Sequence, residues 1–179
     1  MKTDLKTLNF KQILSGIEAM VFDVDGVLSN SEVLINENGT LQRTANVRDG
    51  YILKYALKKG IKIGIISGGL NESVKLRYQA LGIEDVIIGS KRKIYDFEEF
   101  TLKHKINNRK VLYMGDDIPD YEVMKVVGLP CCPADAADEI KQISMYISPK
   151  KGGDACVRDI AEQVLRAKKL WMDDDAFNM

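Results

Sequence analysis

Three apolar runs in this chain end abruptly in polar clusters: residues 19–22 lead into Asp23-Val24-Asp25-Gly26, residues 61–66 into Ser67-Gly68-Gly69, and residues 110–114 into Gly115-Asp116-Asp117. Unbroken apolar runs of this length suit strands buried on both faces, and such strands belong to parallel sheets covered by helices. Parallel neighbours need crossover connections, and the intervening stretches have the length and periodicity of helices. Repetition of that unit predicts a three-layer αβα fold around one open sheet. The C-terminal ends of its strands then share one edge, where open α/β sheets build their sites. The polar clusters are therefore expected to converge.

Along the chain, residues 7–16 read as a short amphipathic segment and residues 19–24 as the first strand. Asn36-Glu37-Asn38-Gly39, between extended runs at 33–35 and 40–43, is a hairpin signal. Residues 51–59 have helical periodicity and stop at Gly60, before a strand at 61–66. Asn71 caps a helix to Leu81, Gly82 suits its stop, and a short strand follows at 85–88. Residues 94–106 form the next amphipathic helix, 110–114 a strand, 145–147 a weaker edge strand and 155–170 the last helix. Pro119 fits a helix start, where its missing N–H has no intrahelical partner. The intervals from Asp25 to Val47 and from Ser67 to Lys93 are too short for a lid. The expectation is one Rossmann-like domain over residues 1–170, with a small β-hairpin insert at 31–45, no separate cap domain, and a tail at 171–179.

A chain of 179 residues with 45% hydrophobic and 29% charged residues can bury a substantial core. Lys plus Arg and Asp plus Glu are both 26, so nothing in the charge balance favours nucleic acid or an anionic membrane. No apolar run approaches the roughly 20 residues that span a bilayer, and the opening Met-Lys-Thr-Asp-Leu-Lys has no leader character, so a cytoplasmic location is expected. Cys131, Cys132 and Cys156 are odd in number and His104 is the only histidine, which leaves no spacing for a disulfide framework or a zinc site.

The clusters, with Lys91 and Lys93 and with Asp120 in Gly-Asp-Asp-Ile-Pro-Asp, resemble the four motifs of the haloacid-dehalogenase-like hydrolases. The match is carried by Asp23 with Asp25, by Ser67, by a lysine at 91 or 93, and by Asp116 with Asp117 and Asp120, and it spans nearly the whole chain. Val47-Arg48-Asp49-Gly50-Tyr51, the short insert before it, and Gly152-Gly153 followed by Val157-Arg158 are similar to a capless branch of small sugar-acid phosphatases. These act on 3-deoxy-D-manno-octulosonate 8-phosphate, on the route to lipopolysaccharide. The glycine usual in that branch is replaced here by Ala155, and the tail also departs from its pattern.

The resemblance implies a magnesium-dependent phosphomonoesterase. Asp23 is then the nucleophile, and Asp25 the group that protonates the leaving oxygen and later deprotonates the attacking water, one carboxyl serving consecutive steps. Asp23, Asp116 and the backbone carbonyl of Asp25 would hold Mg2+, an oxygen-rich set that suits magnesium better than zinc. Asp117 and Asp120 would orient water or hold the loop. Ser67 and Gly68 can donate to phosphoryl oxygens near a helix start. Lys93 aligns best as the phosphate-gripping cation, with Lys91 in reserve. Arg48 can pair bidentately with a carboxylate or reach phosphate, and Gly152 with Gly153 can shape an anion-facing loop. Asp49 more readily fixes a turn or helix start than binds an anion. The resemblance further implies a homotetramer whose hairpins pack between subunits in place of a lid, and a tail that closes a neighbouring site. Two rivals stay open: a phosphatase for a sialic-acid-like nine-carbon 9-phosphate, and a non-catalytic regulatory or scaffold subunit on this fold.

Overall fold

The computed structural model describes residues 9–177; Thr7 and Leu8 of the expected leading segment, and Asn178 and Met179 of the tail, lie outside them. In chain order the elements are α1 (Phe10–Ile13), β1 (Ala19–Phe22), β2 (Leu34–Ile35), β3 (Leu41–Gln42), α2 (Val47–Lys58), β4 (Lys62–Ile66), α3 (Glu72–Gln79) and β5 (Asp85–Ile87). They continue with α4 (Lys93–His104), β6 (Val111–Met114), α5 (Tyr121–Met124), β7 (Leu129–Cys132), α6 (Asp138–Ile143), β8 (Tyr146–Ile147) and α7 (Cys156–Ala167). Six strands form one sheet in the order β5-β4-β1-β6-β7-β8, with every pairing parallel. The antiparallel hairpin β2-β3 stands apart from it.

The apolar runs bury both faces of their strands. Met20 and Phe22 of β1 pack with Ile52 and Leu53 of α2 and Ile160 and Val164 of α7, whereas Ala19 and Val21 pack with Phe97 and Phe100 of α4 and Val123 of α5. Alternate residues of one strand thus feed two helical layers, giving the three-layer fold. Among the described residues no helix is long and apolar enough to cross a membrane, and Cys131, Cys132 and Cys156 are buried free thiols.

Four elements differ from the sequence reading. Strand β1 ends at Phe22 rather than residue 24, because Val24–Leu28 folds into a tight turn in which Asp25 is extended and Gly26 has φ 81°. Helix α2 begins at Val47 rather than residue 51: Asn46 caps it, its side chain accepting from the Arg48 N–H, so Arg48 and Asp49 lie in a helical first turn. Strand β7 and helix α6 were not anticipated, since Pro130 argues against a central strand. It is tolerated because its carbonyl accepts from Met145 on the β8 side, so the side lacking an N–H faces a strand that pairs only from Cys131 onward. A smaller difference is that α7 ends at Ala167, three residues early.

Asp49 is 1% exposed, and its Oδ1 accepts from the Arg158 N–H at 2.6 Å, capping α7 from another helix. Its Oδ2 has no hydrogen-bond partner among the described residues. Burial pushes its carboxyl up to about 7, with the Arg158 N–H opposing. Because this folded-state value lies above the ordinary 3.8, protonated Asp49 stabilises the fold fully below about pH 4, and that contribution is lost as the pH rises to about 7. Asp49→Asn should therefore gain about 2–4 kcal/mol on the wild type between those pH values and level off above them. Urea unfolding at pH 4 and pH 8 checks this; an unchanged difference between the two proteins would mean the carboxyl titrates normally.

Candidate active site

The parallel sheet places three strand ends side by side. The turn after β1 carries Asp23 and Asp25, the loop after β4 carries Ser67 and Gly68, and the turn after β6 carries Asp116 and Asp117; Lys93 opens α4. Asp23, Asp25, Ser67, Gly68, Lys93, Asp116, Asp117 and Asp120 all line one cavity of about 300 Å3. Lys91 is exposed and does not line it.

Asp23 is buried, and its Oδ1 lies 2.8 Å from the Lys93 ammonium. The same ammonium donates to Asp120 Oδ1 at 2.7 Å, and that oxygen also accepts from the Tyr113 hydroxyl at 2.6 Å. The other Asp120 oxygen accepts from the N–H groups of Asp116 at 3.2 Å and Asp117 at 3.5 Å. Asp120 is thus saturated by four donors and fully buried, and it fixes both the lysine and the turn that presents Asp116. Burial alone would pull the Lys93 ammonium down, but Asp23 and Asp120 outweigh it and hold its pKa above the ordinary value.

Asp116 approaches the β1 turn so closely that a Cβ on Gly26 would lie 2.0 Å from its Oδ2. Only glycine satisfies both that approach and the positive φ of residue 26. The Ser67 hydroxyl accepts from the Gly69 N–H at 3.1 Å, which leaves its own proton free for an anion in the cavity.

Asp23, Asp116 and Asp120 each place an oxygen within 4.8 Å of the others. Burial raises the Asp23 carboxyl well above its ordinary value, with the Asp120 charge adding to it and Lys93 opposing. Burial, with the Asp120 charge, pushes Asp116 up to about 7. One lysine does not neutralise this group, and with Asp120 saturated the free oxygens are those of Asp23 and Asp116. The donor set is hard and anionic, as a divalent cation such as Mg2+ requires.

Arg48, Gly152 and Gly153 are not brought to this cavity. Arg48 is exposed in the first turn of α2. Gly152 and Gly153 pack against the backbone of the β1 turn, where a Cβ on Gly152 would lie 2.0 Å from the Gly26 carbonyl oxygen. His104 faces Asp85 at 2.7 Å in α4, outside the cavity. The tail through Phe177 lies on its own α2: Tyr51 donates to the Ala176 carbonyl at 2.6 Å, and Lys59 pairs with Asp173 and Asp175. Trp171 stacks edge-on to Tyr55 at 5.6 Å. Sequence reasoning missed Tyr113 and Arg43. The first reads as an ordinary strand residue, and the second, the one cation in residues 31–45, reads as the end of an extended run with no signal that it pairs with Asp25.

Residues 90–158 match the haloacid dehalogenase-like hydrolase family model. Over 152 residues, 85% of this chain and 81% of the relative, the sequence is 35% identical to 3-deoxy-D-manno-octulosonate 8-phosphate phosphatase of Escherichia coli K12. The crystal structure of the Yersinia pestis phosphatase of the same name superposes with a TM-score of 0.88 at 30% identity, covering 90% of this chain and 88% of that one. The Moraxella catarrhalis phosphatase, solved in complex with magnesium ion, phosphate ion and KDO, gives 0.85 at 31% identity, covering 89% and 91%. Motif residues gathered in one cavity, and a likeness that runs through most of both chains, show that this chain belongs to the haloacid dehalogenase-like hydrolases, in their 3-deoxy-D-manno-octulosonate 8-phosphate phosphatase branch.

Proposed function

We propose that this chain releases phosphate from 3-deoxy-D-manno-octulosonate 8-phosphate through a phospho-aspartate on Asp23, in the cytoplasm, where three free thiols are at home. The observation that carries the chemistry is the buried Asp23–Lys93–Asp120 chain beside Asp116. Asp23 and Asp116, with the Asp25 backbone carbonyl, would hold Mg2+, which screens the phosphate dianion from the carboxylates when bound. Lys93 steadies Asp23 and the transferring phosphoryl oxygens, and the Ser67 hydroxyl with the Gly68 N–H donates to the same oxygens. Asp23 attacks phosphorus while Asp25 gives a proton to the departing sugar oxygen. Asp25, now a carboxylate, then takes a proton from the water that attacks phosphorus, and Asp23 is regenerated.

Specificity is proposed to lie outside the cavity. The hairpin and the loop after β4 border an adjoining groove of about 580 Å3 that shares Gly69 with the catalytic cavity and offers room for the sugar. Arg48 is proposed to read the distant carboxylate, and Gly152 with Gly153 to act indirectly by pinning the β1 turn. A panel of sugar-acid phosphates ranked by kcat/KM tests the substrate: the eight-carbon ester should lead, and faster turnover of the nine-carbon 9-phosphate would transfer the assignment to it.

The assembly proposed is a homotetramer built on the hairpins. Leu34 is 69%, Ile35 76% and Leu41 41% exposed on β2 and β3, an apolar two-stranded ribbon that a single chain leaves in water. Closed symmetry would bury it without leaving sticky edges. Light scattering at assay concentration should give four chains, and Leu34→Asp with Ile35→Asp should give a smaller species. A fully active wild-type monomer would defeat this arrangement.

A further inference from the structure

Arg43, at the end of β3, makes a two-point ion pair with the group assigned above as acid and base: its Nε lies 2.5 Å from Asp25 Oδ1 and its Nη2 2.9 Å from Oδ2. This is the planar fork geometry in which a guanidinium fixes both position and rotation of a carboxylate. The Arg43 side chain is 8% exposed although it comes from an exposed hairpin. It fits because residue 69 is glycine: a Cβ there would lie 2.9 Å from Nη2.

The backbone that carries Arg43 is tied to both sides of the site. Asn71, the cap of α3, donates to the Leu41 carbonyl at 2.7 Å, Thr44 donates to the Asn30 side chain at 3.1 Å, and Asn46 donates to the Gly153 carbonyl at 2.9 Å. Arg43 does not itself line the carboxylate cavity. It borders the adjoining groove, and its tie to the carboxylate cavity is the fork on Asp25.

We infer that Arg43 is a positioning residue for the second half of the reaction, holding the Asp25 carboxylate where it can take a proton from the water that attacks the phospho-aspartate. In that step the water oxygen bonds to phosphorus, the bond from phosphorus to Asp23 breaks, and the water proton passes to Asp25, leaving inorganic phosphate and a free Asp23 carboxylate. The fork holds both oxygens of Asp25, and so sets the direction in which the water proton must leave. The first half, with an ester whose leaving group needs no proton, draws little on it. The hairpin thereby contributes to turnover in its own chain. The inference rests on the phospho-aspartate reading above.

The test uses the full-length protein with magnesium and 4-nitrophenyl phosphate, comparing wild type, Arg43→Ala, Arg43→Lys and Asp25→Asn by steady-state kinetics and by acid quenching. Arg43→Ala should lower kcat by about tenfold to a hundredfold while kcat/KM changes little, since kcat/KM reports only the steps through phosphorylation of Asp23. Quenched Arg43→Ala should carry more phosphoryl-enzyme than wild type, and Arg43→Lys, which keeps charge but not the fork, should fall between. A purely structural role would lower kcat and kcat/KM together without trapped phosphoryl-enzyme, and substrate contact would raise KM alone; either result overturns the inference. If Asp25→Asn traps phosphoryl-enzyme and neither Arg43 variant does, only the role of Arg43 fails. If no variant ever carries phosphate on Asp23, the phospho-aspartate reading fails with it.

Discussion

Asp23→Asn is expected to leave a folded protein that turns over phosphate esters roughly four orders of magnitude more slowly than wild type, the scale of loss when a covalent nucleophile is removed. The amide keeps the shape of the side chain and can still accept from Lys93, but it is a poor nucleophile towards phosphorus. Folding should not suffer. Asp23 is buried beside Asp120 and near Asp116, so in the absence of a cation the substitution relieves repulsion, and Lys93 keeps Asp120 as a partner. Thermal melting in chelator should give a transition at or above that of wild type, alongside loss of phosphate release. Near-normal turnover by a verified Asp23→Asn protein would refute covalent catalysis at this residue.

Chelation should abolish turnover and added magnesium restore it, while Asp116→Ala should lose affinity for the ion and activity together, with kcat/KM down by about a hundredfold or more. Among the clustered carboxylates only Asp23 and Asp116 have oxygens not saturated by protein donors, so removing one halves the free anionic set. The affinity of the wild type should also depend on pH in a stated direction. Burial and the Asp120 charge hold the Asp116 carboxyl at about 7, so a cation must displace a proton below that pH, and binding should weaken as the pH falls from 8 to 6. Calorimetric titration of magnesium at the two pH values reads this directly. Full activity in rigorously metal-free buffer would reject the site.

The positions of Asp23, Ser67 and Asp116 at one edge were legible because apolar runs buried on both faces admit few sheet architectures, and parallel order brings every C-terminal strand end to the same side. From residue type alone the cation was legible only as a cluster, and it was the resemblance that favoured Lys93 over Lys91. Lys91, Arg92 and Lys93 are equivalent in composition, and the start of α4 is what turns Lys93 inward to Asp23 and leaves Lys91 exposed. Strand β7 was hidden by Pro130, whose local signal is overridden by the shortness of its neighbour β8.

By itself, then, the sequence determined the layers, the absence of room for a lid and the acidic, serine and glycine ends of the central strands, because these follow from local periodicity and turn chemistry. Only the tertiary structure decided what pairs across the chain. It set Arg43 on Asp25, 18 residues away, the Asp49 side chain on the start of α7, 109 residues away, and Tyr113 on Asp120 between two buried layers. Such contacts depend on which helix lies over which strand and on where a missing Cβ leaves space, and neither is written in the spacing of residues along one element.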